Sequence, residues 1–144
     1  MPTCTIIDIA DAVVTELNAA NFSQPVTAQR HYQPTFELKD MGTLHVSVVP
    51  RGVEFQAATR AMVQADVQID VGVQKKLASA EPAEIDPLMR LVEEIADYFR
   101  AHRLTAAPDA MWVKTANVPI FAPEHLAELR QFTSVLTLTF RILR

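Results

Sequence analysis

The sequence predicts a single α+β domain, in which two main helices pack on one face of a mostly antiparallel sheet of four or five strands. Two stretches carry most of this prediction. VQADVQIDVGVQKK has apolar residues at alternate positions from Val63 to Val73, which is typical of a strand with one buried face. In FTSVLTLTFRIL, near the C-terminus, Phe132, Leu136, Leu138, Phe140 and Ile142 share one face. Two other segments have helical spacing of their apolar residues.

Length and composition predict one globular domain over residues 1–144. The chain has 144 residues, of which 49% are hydrophobic and 21% charged, ordinary values for a chain that buries a core without disulfides. Its single cysteine, Cys4, cannot form an internal disulfide, which fits a reducing compartment. The first residues lack a basic region, and no segment has the length of an uncharged membrane span. We therefore expect a cytosolic protein that does not enter a membrane.

The first part of the chain predicts one helix and two short strands. Thr5 and Asp8 fit a capping box, and the apolar residues that follow have helical spacing, so we predict a helix over 5–20. Alternating side chains and flanking prolines predict strands at 28–33 and 44–49.

The middle of the chain predicts a turn and the longest strand. Pro50-Arg51-Gly52 has the composition of a turn. Residues 53–60 fit either a strand or an irregular arm, and they lead into the long strand at 62–74. The long strand is therefore one side of a predicted β-hairpin.

The last part predicts the second helix and the closing strand. Residues 79–86 read as a linker, and Asp86-Pro87 has the form of a helix start, with Asp as N-cap and Pro at the first helical position. Residues 105–123 are loop-like except for a short strand at 111–114. A short helix is predicted at 123–129, before the closing strand.

The two aspartates on the polar side of the long strand do not form a catalytic or metal site together. Asp66 and Asp70 are four residues apart, which is about 13 Å along a strand at roughly 3.3 Å per residue. Metal ligands must converge within about 2.5 Å of one ion. We therefore interpret the pair as part of a solvated or subunit-facing surface.

Other chemical signatures are weak. His31 and His45 come close if their predicted strands are adjacent, which leaves a two-histidine metal site or a small enzyme site with Cys4 conceivable, but no third ligand has a recognisable spacing. The three glycines are isolated, so no glycine-rich phosphate-binding loop is present. We expect no catalytic residue, cofactor or metal.

The length of the long strand favours an assembly role. Residues 63–73 span about 35 Å, while a 144-residue globule is roughly 37 Å in diameter. The strand therefore crosses the domain or projects beyond it. An uncovered strand of this length is an aggregation hazard, and a neighbouring subunit is the simplest cover.

The order of these elements resembles the tail-terminator, or tail-completion, proteins of long-tailed bacteriophages. The matching pieces are IIDIADAVVTELN, RHYQP, LHVSVVPRG, QADVQIDVGVQKK, DPLMRLVEEIADYF and FTSVLTLTFR. They cover nearly the whole chain. The resemblance implies a small α/β domain that forms a hexameric ring, caps the last ring of tail-tube subunits and joins the tail to the head-completion proteins of the neck. It implies a location in the virion, and in the host cytoplasm during assembly.

The resemblance also gives the polar face a role. A ring requires a heterologous interface that closes by rotation, and we hypothesise that Asp66, Gln68 and Asp70, with Arg60 and Arg141, supply its charge pairs. The net charge of −4 suits a conduit through which DNA passes without being gripped.

The segment after the predicted turn has a separate hypothetical role. We take Arg51, Val53 and Phe55, within 51–61, as a mobile arm that becomes ordered on docking.

Three other readings remain open. The protein can be a head-closure or adaptor protein of the phage neck, which also forms rings. It can be a cytosolic ligand-binding module that shares an α+β fold, because fold does not fix function. It can be a small enzyme that uses His31, His45 or Cys4.

Overall fold

The predicted α+β class is confirmed. The computed structural model describes residues 6–31, 44–78, 81–118 and 120–143, apart from the side chains of His125, Glu128 and Leu129. The elements, in order, are α1 (Ile6–Ala19), β1 (Ala28–Arg30), β2 (His45–Ala57), β3 (Val63–Lys76), α2 (Pro82–Phe99), β4 (Met111–Ala116), α3 (Pro123–Leu129) and β5 (Gln131–Leu143).

The five strands form one mixed sheet in the order β1-β2-β3-β5-β4. Only β1 and β2 are parallel, and the other three pairs are antiparallel. The longest ladder joins β3 to β5 from Gln64↔Leu143 to Lys76↔Gln131. This ladder brings the two alternating stretches of the sequence side by side, with their apolar residues in register.

The core lies between one face of the sheet and the helices α1 and α2. Alternate residues of β3 and β5 are buried there because a strand turns successive side chains to opposite faces. They meet apolar residues on one side of each helix. The fully buried large side chains of this layer include Ile9, Leu17, Ile69, Leu91, Ile95, Phe99, Leu138 and Phe140.

The β2–β3 hairpin is longer than predicted. Residues Pro50 and Gly52 do not turn the chain; a register shift between them marks a β-bulge, and β2 continues to Ala57. Proline lacks an N–H and is tolerated in strands at such irregularities, so the same residues that suggested a turn instead mark a bulge. The open alternative for 53–60 is resolved as strand up to Ala57, followed by a loop.

Helix α2 begins earlier than predicted. It starts at Pro82 with Glu81 as N-cap, and Pro87 lies inside it. The chain has two acid–proline pairs, and each has the local form of a helix start. The first pair starts the helix, so 82–86 are helix rather than linker, and residues 79–80 lie outside the described part.

The remaining elements differ from prediction mainly at their ends. α3 has the predicted bounds, β4 extends two residues beyond 114, and β1 is described only as Ala28–Arg30. The proposed N-cap Thr5, residues 32–33 and Cys4 lie outside the described residues.

Candidate functional site: the polar face and the hairpin arm

The polar face is the side of the sheet turned away from α1 and α2. On β3 and β5 it consists of the even-numbered residues 64–74 and the odd-numbered residues 133–141, which the register places opposite one another. The sequence-predicted residues Asp66, Gln68, Asp70 and Arg141 all lie on this face and are half-buried.

Asp66 and Arg141 form an ion pair within the chain. They are register partners on β3 and β5. Arg141 Nε donates to Asp66 Oδ1 at 2.8 Å, and Nη2 donates to Oδ2 at 3.2 Å. These hydrogen bonds, with the positive charge behind them, lower the pKa of Asp66 below its ordinary value. The pair therefore stabilises the sheet, and its charges are already neutralised before any partner arrives.

Asp70, four residues further along β3, has its own partners. Thr137 donates its hydroxyl to Asp70 at 2.8 Å, and Arg51 Nη1 lies 3.2 Å from the Thr137 oxygen and 3.7 Å from Asp70 Oδ1. The Arg51 side chain is 57% exposed, so this ion pair is weak. Arg51 and Asp70 therefore both remain able to interact with a charged group of a partner.

Arg51 also lines a shallow depression of about 310 Å³ on the polar face, together with Gln68, Lys114 and Thr139. Arg60, in contrast, lies in the loop at the tip of the hairpin, where it is exposed. The structure therefore places four of the five predicted interface residues on one face, and the fifth at the end of the hairpin.

Buried polar atoms without partners are a second feature of this face. Among the described residues, Ser47 Oγ, Gln74 Oε1 and Thr139 Oγ1 have no hydrogen-bond partner, although each residue is at most 6% exposed. Such atoms are rare in folded proteins because an unmet hydrogen bond costs free energy.

The hairpin arm, residues 51–63, carries an apolar surface on the opposite side. Val53 and Phe55 pair with Val67 and Ala65, so they lie on the same face of the sheet as the core. They are 39% and 57% exposed, and Val63 beside them is 41% exposed. Residues 51–57 of the arm belong to strand β2, and the docking role of the arm stays a prediction. This group of exposed apolar side chains is a candidate contact surface.

The two histidines of the enzyme alternative are not brought together. The parallel register pairs Ala28 with Val46 and Arg30 with Val48. His31 and His45 therefore lie at opposite ends of this short ladder, roughly 13 Å apart along the strands. Within the described ranges, no group of three or more His, Cys, Asp or Glu residues is placed to hold a metal ion.

Sequence reasoning missed a buried carboxylate, Glu16. It accepts hydrogen bonds from the Tyr98 hydroxyl at 2.7 Å and from the backbone N–H of Thr105 at 2.8 Å, and His102 Nε2 lies 3.1 Å away. Burial alone would raise the pKa of Glu16, but these hydrogen bonds together outweigh burial and lower it to about 2. Burial and the bond to Glu16 raise the pKa of Tyr98 to about 12.

The Glu16 group ties α1 to the end of α2. The sequence signal was the position of Glu16 on the buried side of α1, three residues after Val13 and one before Leu17. An acid at such a position requires partners. Because every carboxylate oxygen is used, we interpret this group as structural.

Comparison with known proteins does not assign the chain to a family. No protein-family model matches the chain, and no curated protein matches its sequence significantly. Among the described residues, no helix is long and apolar enough to cross a membrane.

Proposed function

We propose that this protein is a structural subunit of a long-tailed bacteriophage, which assembles into a ring, hexameric by resemblance, at the end of the tail tube. The observation that carries the proposal is the hairpin arm. A strand pair of 13 and 14 residues exposes apolar side chains at its far end. Side chains of this kind are expected to be covered in an assembly.

The polar face supports the same role. Its side chains are arranged as ion pairs and hydrogen bonds across the sheet, for example from Asp66 to Arg141 and from Asp70 to Thr137. These residues bind one another across neighbouring strands and so stiffen the surface. The protein is accordingly proposed to act by binding, without catalysis or a cofactor.

The proposed partners follow from the position in the tail. One side of the ring contacts the tail-tube protein, and the other contacts a head-completion protein of the neck. The net charge of −4 suits a channel through which DNA passes, because phosphate binding requires a basic surface. The protein acts in the virion after assembly in the host cytoplasm.

The test is binding to purified tail tubes that lack a terminator and, separately, to DNA-filled heads. We expect the wild-type protein to bind one end of each tube and to block further binding of tube subunits there. Binding to filled heads but not to tubes would favour the head-closure or adaptor reading. Binding to neither would refute a role in the neck.

A further inference from the structure

We propose that a small hollow on the polar face, above Gly72 and between β2 and β5, binds a primary ammonium group on a short alkyl chain. The hollow has a volume of about 80 Å³, well below the roughly 300 Å³ at which ordinary ligand pockets begin, so its ligand is small. The ammonium group belongs either to a free amine or to a lysine side chain of another protein. This site does not depend on the proposed ring.

The hollow exists because Gly72 has no side chain. Gly72 lies within β3, midway between Asp70 and Gln74 on the same face. The neighbouring strands supply two apolar walls, Val49 on β2 and Val135 on β5. A side chain at position 72 would therefore enter the space between these walls.

The backbone does not require a glycine at position 72. None of the described glycines has a positive φ, and a Cβ added at Gly72 would meet nothing closer than the backbone oxygen of Ser47, at 4.0 Å. A glycine inside a strand weakens the strand relative to alanine. The space that Gly72 leaves open is therefore the physical reason we give for this residue.

The hollow is bordered by polar groups that can accept hydrogen bonds. Asp70 and Gln74 line it on either side of Gly72. Gln74 is 6% exposed, and its Oε1 has no hydrogen-bond partner among the described residues. The same holds for Oγ of the fully buried Ser47, which is the register partner of Gly72 on β2. Unmet buried polar atoms cost free energy, so this lining favours a ligand that donates hydrogen bonds.

The lining also determines the charge and shape of the ligand. An ammonium group has three N–H donors and no acceptor, so it suits the carboxylate of Asp70 and the amide oxygen of Gln74. The side chains of Val49 and Val135 favour an alkyl chain, because contact between apolar surfaces removes them from water. The carboxylate disfavours an anion, and a hydrated metal ion would leave the apolar walls without a partner.

Arg51 is the competing cation of this site. Its Nη1 lies 3.7 Å from Asp70 Oδ1, and its side chain is 57% exposed. An exposed pair of this kind is weak, so an ammonium group can approach the same carboxylate. Because Arg51 repels that ammonium group, Arg51→Ala should tighten binding about twofold.

The first test fills the hollow. NMR titration with n-butylammonium measures binding, and n-butanol is the uncharged control ligand. Gly72→Ala should be at least as stable as the wild type but bind n-butylammonium about tenfold more weakly, because the added Cβ overfills the site. Gly52→Ala is the matched control, since Gly52 lies on β2 outside the hollow and its added Cβ meets nothing within 4 Å. It should keep the wild-type affinity.

The second test removes the acceptors. Asp70→Asn should weaken the binding of n-butylammonium about tenfold, and Gln74→Met, which keeps the length of the side chain, about fivefold, because hydrogen bonds to a charged group are the stronger kind. Nα-acetyl-lysine amide is a second probe. Tighter binding of this probe than of n-butylammonium would assign the hollow to a lysine side chain, and weaker binding would assign it to a free amine.

The inference would be overturned by three results. One is the absence of saturable binding of n-butylammonium to the wild-type protein. Another is equal binding of n-butanol, which would mean that the charge plays no part. The third is an unchanged affinity in Gly72→Ala, which would place the bound amine elsewhere on the protein.

Discussion

Arg141 holds Asp66 with two hydrogen bonds, from Nε to Oδ1 at 2.8 Å and from Nη2 to Oδ2 at 3.2 Å. The two residues are 75 positions apart in the chain and are opposite one another on β3 and β5. An arginine that holds both carboxylate oxygens forms the most specific type of ion pair. This pair therefore favours the observed register of β3 and β5.

The first prediction concerns that pair. Asp66→Asn should lower the free energy of unfolding by about 1 kcal/mol, because the pair is only partly exposed, with side chains 19% and 35% accessible. The mass of the assembly should not change, since both charges are satisfied within one chain. Urea unfolding and light scattering measure the two quantities. A loss of assembly without a loss of stability would mean that Asp66 contacts a neighbour.

The second prediction concerns Asp70, which lies beside the exposed Arg51. Asp70→Lys should weaken assembly if the polar face contacts a neighbour, because it places two cations side by side and reverses the local charge. Asp70→Asn is the matched control, since the amide oxygen can still accept from Thr137. Sedimentation velocity of both variants measures the effect. An unchanged assembly mass in Asp70→Lys would remove this part of the polar face from the interface.

The third prediction is a pH dependence that comes from Glu16. Its pKa falls from 4.5 to about 2 on folding, so the folded state favours the charged form. This contribution is fully present above pH 4.5 and is lost as pH falls towards 2. A shift of this size corresponds to about 3 kcal/mol. Glu16→Gln should therefore lose about 3 kcal/mol of stability at pH 7 and much less near pH 2.

The control for Glu16 lies on the same helix. Asp11 forms an ion pair with Arg30 at 2.7 Å, but the Asp11 side chain is 57% exposed. Asp11→Asn should therefore cost at most about 1 kcal/mol at any pH. Denaturant titrations at pH 7 and pH 2 compare the two variants. An equal loss for both at pH 7 would show that the buried hydrogen bonds of Glu16 add no stability.

The fourth prediction concerns the unpartnered hydroxyl of Thr139. This residue is 4% exposed, and its Oγ1 has no hydrogen-bond partner in the part of the chain that the structure describes. Thr139→Val keeps the shape and removes the unmet hydroxyl, so it should raise the free energy of unfolding by about 1 kcal/mol. Thr137→Val is the comparison. Because Thr137 donates a hydrogen bond to Asp70, this variant should have a lower free energy of unfolding. Thermal unfolding of both variants checks the opposite signs.

The sheet and its buried face could be predicted because they depend on a local pattern. Val63 to Val73 and Phe132 to Ile142 alternate in the sequence, and the structure buries those same positions apart from Val63 at the tip. The predicted bounds of helix α3 also agree with the structure. The spacing of apolar residues shows which side of a strand or helix is apolar, and this is sufficient to predict these strands and their buried faces.

The pairings could not be predicted, because they depend on the register between distant segments. Nothing near Asp66 in the sequence indicates Arg141, and nothing near Glu16 indicates Tyr98 or Thr105, which lie 82 and 89 positions away. The prediction of the start of α2 was wrong for a different reason. Glu81-Pro82 and Asp86-Pro87 are equivalent local signals, and tertiary packing decides between them.

The measurement that tests the central claim most directly is the absolute mass in solution, by light scattering on a sizing column over a range of concentrations, with and without purified tail tubes. One chain has a mass of 16.0 kDa, so a six-membered ring has about 96 kDa. We expect that mass for the free protein at high concentration, or for the protein released from tube ends. A mass of one chain at every concentration, with no change when tail tubes are added, would contradict the account.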